Sequence, residues 1–123
     1  MIAKFVSAFV MALSPIAAHA VDRERCDIER QYSCAFDKCA LVEAPAWSII
    51  HWDTSTYDMC DPSGCQTLRF AAWPNGIFTS LSFDHHELMV KLNNTSRTVM
   101  ETSGFLEMTV SAFGRCHADE SQR

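Results

Sequence analysis

Three kinds of signal are missing from this 123-residue chain. There is no run of about 20 apolar residues, the length a helix needs to cross a bilayer. There is no basic stripe: ten Lys and Arg, scattered along the chain, face 15 Asp and Glu. That balance argues against nucleic acid or an anionic membrane surface as a partner. There is also no signature of a common catalytic or cofactor site. The chain lacks G-x-S-x-G, H-E-x-x-H, a Gly-rich phosphate loop and a C-x-x-C pair, each of which would place particular ligands or nucleophiles together. No internal repeat or low-complexity stretch is visible.

The first 20 residues carry the clearest positive signal. Lys4 precedes an apolar run from Phe5 to Ala18, interrupted by Ser14 and Pro15, and the segment ends Ala18-His19-Ala20. A lone cation, a short apolar stretch and a small-x-small ending form the pattern of a cleavable signal peptide. Residue 21 is Val, so a lipid-modified cut, which needs Cys there, does not fit. The expected organisation is a cleavable signal at 1–20 and one disulfide-rich β domain at 21–123. The mature protein is expected in the periplasm or secreted, with no stable membrane insertion. Removing Lys4 leaves a formal charge of −6 on the mature chain, which keeps a small domain soluble.

All six cysteines (Cys26, Cys34, Cys39, Cys60, Cys65 and Cys116) follow residue 20. An even number in a short exported chain reads as a disulfide framework rather than a thiolate metal site, and leaves no free nucleophile. A domain of about 100 residues buries only about 60–65% of its chain surface, so covalent staples have a physical use. The tetrapeptide Asp61-Pro62-Ser63-Gly64 matches a type I turn position by position. It should bring Cys60 and Cys65 face to face across a hairpin, close enough to bridge. Cys34 and Cys39 repeat that spacing, and by elimination Cys26 would pair with Cys116. Six cysteines allow 15 pairings, and only the turn argues directly for one of them.

From Trp47 onward the chain alternates apolar and polar residues between turns, the mark of half-buried strands. Strands are expected over Trp47–Trp52 and Thr56–Cys60, around Leu68 and Phe70, from Ile77 to Phe83, and from Leu88 to Leu92. A weaker strand at Arg97–Ser103 reads as an edge, and a long one runs from Leu106 to Ala112. Links this short exclude parallel crossovers. The predicted fold is a mostly β, antiparallel meander of about seven strands, curled into a small barrel or sheet. Asp22 to Val42 fits two patterns. Ile28, Tyr32, Phe36 and Cys39 have helical spacing, whereas Tyr32, Cys34 and Phe36 alternate. Residues five apart on a helix point about 140° away from each other and cannot bridge. The expectation is therefore a short N-terminal helix followed by a tight Cys34–Cys39 loop.

The candidate chemistry is sparse. Asp84, His85 and His86 could hold a metal ion, although adjacent residues of a strand point to opposite faces. A polar hairpin loop is the simpler role. His51 reads as a satisfied, half-buried histidine. Asp53, Asp58, Glu101 and Glu107 could pair for acid–base work, but alternation places acids on solvated faces. Trp47, Trp52 and Trp73 could form a binding face, though plugging the core or the barrel ends is their expected place. Asn93-x-Thr95 and Asn94-x-Ser96 match the N-glycosylation pattern, which matters only in a eukaryotic secretory pathway.

Tyr57 shortly before Cys60 and Cys65, the strand Arg97-Thr98-Val99-Met100-Glu101-Thr102-Ser103-Gly104 and the closing Gly114-Arg115-Cys116 resemble small exported bacterial β-proteins with no assigned activity. The likeness covers about half of the mature chain. Size, export and a stapled meander also look like the periplasmic lysozyme-inhibitor barrels, a similarity of architecture that implies no shared site. The expected function is a non-catalytic, inhibitor-like binding or accessory module of the envelope. It needs no cofactor, and its partner would be a protein or small ligand. A small metal-binding protein using Asp84, His85 and His86 is the alternative, and a hydrolytic enzyme is a third.

Overall fold

The computed structural model describes residues 21–84, 87–105 and 107–119, Phe105 by its backbone alone. Among them lie nine strands: β1 (Arg23–Ala35), β2 (Lys38–Leu41), β3 (Trp47–His51), β4 (Thr56–Asp61), β5 (Gly64–Asn75), β6 (Phe78–Phe83), β7 (Leu88–Asn93), β8 (Thr98–Phe105) and β9 (Met108–Ala118). Every pairing is antiparallel. The order is β2-β1-β3-β4-β5-β6-β7-β8-β9, and a further pairing of β1 with β9 closes the ring. Eight strands thus form a closed barrel, with β2 added beside the second half of β1. Closure satisfies the backbone donors and acceptors that an open sheet leaves at its edges.

The expected N-terminal helix is a strand. Residues 23–27 pair with β3 on one side, while β9 runs along the other side as far as Cys34. A register shift between Ile28 and Arg30 marks a β-bulge, which changes the inward phase. Before it Glu24 and Cys26 are buried; after it Gln31 lies opposite the buried Ala112. One extra residue breaks the period of two, which is why the segment reads as helical at the level of pattern.

Nine strands replace the seven expected. Arg97–Ser103 is no edge, since β8 pairs with both β7 and β9. The β5–β6 turn begins only after Asn75, which still pairs with Phe78. Trp73 and Pro74 pair with Ser80 and Thr79, and Gly76 takes φ 68° at the tip. Ile77, the expected start of the next strand, therefore sits in the turn, 60% exposed.

The interior is apolar around its middle. Tyr57, Phe70 and Phe83 stack edge to face, with Trp52 against Phe70. Ile50, Leu81, Val90, Leu92 and Val99 fill the remainder. Burying a side chain of this size stabilises by about 1.5–3 kcal/mol.

Each disulfide joins residues directly opposite one another: Cys26–Cys116 across β1 and β9, Cys34–Cys39 across β1 and β2, and Cys60–Cys65 across β4 and β5. At the Cys60–Cys65 hairpin, Asp61 Oδ1 accepts the Ser63 N–H at 2.8 Å and also the Ser63 hydroxyl. These contacts hold the Asp61 carboxyl below its ordinary range.

Candidate functional site

Two glutamates point into the barrel, one toward each end. Alternation on β8 puts Val99 inward, so Glu101 follows it inside at 6% exposure; on β1, Glu24 shares the phase of Cys26 at 3%. Burial of a carboxylate is costly unless charge or hydrogen bonds replace water. The two ends meet that requirement differently.

At the end holding the β3–β4 and β7–β8 turns, Glu24 gains a cation. Arg97 Nε donates to Glu24 Oε1 at 3.0 Å, and Arg97 Nη2 donates to Oε2. Trp52 Nε1 adds a 2.7 Å bond to Oε2. Arg97 itself takes φ 59°, a left-handed turn conformation that a β-extended residue would not supply.

At the opposite end Glu101 has neutral donors. Ser48 Oγ, from β3, donates to Glu101 Oε2 at 2.5 Å, and the Tyr57 hydroxyl, from β4, donates to the same oxygen. Burial, reinforced by the Glu101 charge and hydrogen bond, pushes the Tyr57 phenol well above its ordinary value. Above this triad the barrel opens into a cavity of about 520 Å³. Its walls come from β1, the 42–46 connection, β3, β4 and the β4–β5 turn, and include Ile28, Val42, Pro45, Trp47, Met59 and Asp61. A volume of this order suits a small molecule or a partner side chain.

The β1–β2 hairpin rises from the same end. Its strands are locked by Cys34–Cys39, and between them Phe36 is 94% exposed.

The structure separates the three tryptophans. Trp52 plugs one end of the core beside Glu24. Trp47 lines the cavity at the other end and stacks under Arg25, whose guanidinium carbon lies 5.1 Å from the ring centre. Trp73 stands 63% exposed on β5. They form no common face. Asp84 is exposed at the end of β6, and His85 and His86 lie outside the described residues. Among the described residues no group of three or more His, Cys, Asp and Glu is placed to hold a metal ion.

His51 Nε2 lies 2.8 Å from Asp58 Oδ2, and Asp58 Oδ1 accepts from Thr67 Oγ1 at 2.6 Å. This is a cross-strand arrangement on the outer face. Asp53 and Glu107 are exposed, in keeping with acids on solvated faces, but Glu101 and Glu24 overturn that rule. Their signal was present in the chain: each is an acid in the inward phase of an alternating strand, Val99-x-Glu101 and Glu24-x-Cys26. Phe36 had no such signal, because its exposure depends on the hairpin.

In comparisons with protein-family models, curated proteins and solved structures, the chain matches none. Its function has to be read from its own side chains.

Proposed function

We propose that this protein is a non-catalytic binding module of the periplasm or the extracellular space, engaging a protein partner through the hairpin end of its barrel. The observation that carries this reading is Phe36, 94% exposed at the tip of a hairpin closed by Cys34–Cys39. A large aromatic held in water gains free energy when a partner buries it, and aromatic anchors dominate many protein interfaces. The bridge fixes the tip beforehand, so less conformational entropy is lost on binding. A protruding, rigid aromatic fits a concave apolar pocket on its partner, as a plug fits a socket. The three disulfides support an oxidising compartment for this encounter.

The test is affinity capture from the host's envelope fraction under non-reducing conditions. A specific partner is expected with the intact protein and with a Trp73→Ala variant. It is expected to be lost with Phe36→Ser and with the paired Cys34→Ser, Cys39→Ser substitution. Retention by both hairpin variants would remove the basis for the proposal.

A further inference from the structure

We infer that the cavity above Glu101 is a binding site for an organic cation, an ammonium or guanidinium carried on a short apolar stem. The site is separate from the Phe36 contact and does not depend on it. The inference rests on a contrast inside one molecule. Among the described residues the barrel buries two glutamates, and a guanidinium reaches one of them. Glu24 is held by both Nε and Nη2 of Arg97. Glu101, equally sequestered, receives two hydroxyl donors, Ser48 and Tyr57. Donors of this kind stabilise a carboxylate without cancelling its charge.

The cavity wall continues the same bias. Among the described residues it contains the acids Glu101 and Asp61 and no Lys, Arg or His. The nearby guanidinium of Arg25 lies over Trp47 and is paired with Asp27 at 2.9 Å, so it is engaged elsewhere. The lining also includes Ile28, Val42, Pro45 and Met59, which suit a hydrocarbon stem. An anion would meet two like charges, and a purely apolar ligand would leave Glu101 without a counter-charge. A cation on an aliphatic stem satisfies both the charge of Glu101 and the apolar lining.

Free alkylamines and the ends of Lys or Arg side chains share this chemistry, and the experiment separates them. Amide NMR spectra of the oxidised full-length mature protein are recorded during titration with n-butylammonium, n-butylguanidinium, the peptides Gly-Lys-Gly and Gly-Arg-Gly, and neutral 1-pentanol. Saturable shifts are expected at Ser48, Gln66 and the Trp47 indole with the cations, and none with 1-pentanol. Tighter binding of the peptides assigns the site to a partner's side chain, and tighter binding of the free cations assigns it to a small metabolite. Glu101→Gln keeps an oxygen for Ser48 and Tyr57 to bond while removing the charge, and is expected to weaken binding about tenfold or more. Absence of saturation with every cation, equal binding of 1-pentanol, or unchanged affinity in Glu101→Gln would overturn the inference. Should that variant not fold, the comparison of cations with 1-pentanol on the unaltered protein decides alone. Loss of partner capture in the Phe36 variants bears on the other proposal and leaves this outcome unaffected.

Discussion

Gly114 on β9 faces Ile28 on β1 at the point where the bulge brings the Asp27 carbonyl against its Cα. A methyl group built there would collide with the backbone of Asp27 and Ile28, not with a side chain that can turn aside. The barrel closes at this contact, which requires a residue without a Cβ.

Gly114→Ala is therefore expected to destabilise the fold by about 1–3 kcal/mol, the range of overpacking that backbone must absorb. Gly104→Ala is the control, because a Cβ there meets the Glu87 carboxylate, which can swing away. Chemical denaturation of both variants checks the pair. Equal stability would show that β1 can retreat from β9 without loss.

Removing Arg97 leaves Glu24 buried with one remaining donor from the ring of Trp52. Breaking a buried pair costs about 3–5 kcal/mol, and since Arg97 is itself about one-third exposed we expect about 2–3 kcal/mol for Arg97→Ala. The double variant Glu24→Gln, Arg97→Ala should recover part of this, since no unpaired charge is then left inside. Thermal unfolding of the single and double variants measures the difference.

Alkaline stability should report on Tyr57. Its folded-state pKa lies well above 10.0 because of burial and then the Glu101 charge. A raised folded value means that its contribution is complete below the unfolded tyrosine value and is lost as pH rises beyond it. Stability is therefore expected to fall above pH 10. Tyr57→Phe should have a flatter profile in that range, although it starts from lower stability after losing a buried hydrogen bond.

A second pH effect lies across the β1–β9 pairing. His117 Nε2 lies 3.1 Å from Asp27 Oδ2. The Asp27 hydrogen bond, followed by the Ala118 carbonyl, raises His117 above 6.5; the Arg25 side chain, then His117, lowers Asp27 below 3.8. The raised histidine stabilises below about 6.5 and loses this effect as pH climbs through its folded value. The lowered carboxylate stabilises above about 3.8 and loses its effect as pH falls through its own. The pair thus acts between those limits, weakly because both groups are exposed. Proton NMR titration should place His117 above 6.5, and Asp27→Asn should lower it.

The bridges should differ in weight. In the chain-entropy view, closing the loop between Cys26 and Cys116 contributes about 4–5 kcal/mol, against about 2 for each hairpin bridge. Replacing Cys26 and Cys116 by Ala is expected to cost most, while the Cys34 and Cys39 pair should cost least in stability and most in partner capture. Denaturation midpoints of the three paired variants rank them.

Several parts of this molecule could be read without coordinates. Asp61-Pro62-Ser63-Gly64 specifies its own reversal, so Cys60 and Cys65 had to meet. Leu68 and Phe70, Leu81 and Phe83, and Leu88, Val90 and Leu92 keep a strict alternation, and each set is buried. Antiparallel order followed from connections too short for crossovers. Ser48, Tyr57 and Glu101 lie on three strands that nothing local relates. Glu101 was legible as an inward residue only by giving the phase of β8 more weight than the solubility of its charge.

The amino-acid order alone determined the local periods, the turns and the covalent economy of an even cysteine set, since these depend on neighbours within a few residues. Tertiary structure decided that Arg23–Ala35 extends as a strand, because β3 and β9 bond it from both sides and a bulge hides its alternation. It also decided which buried glutamate receives a guanidinium and which opens onto a cavity, since closing a ring brings together residues 53 to 73 positions apart. Long-range pairing energies outweigh local preference there, and no window of sequence contains them.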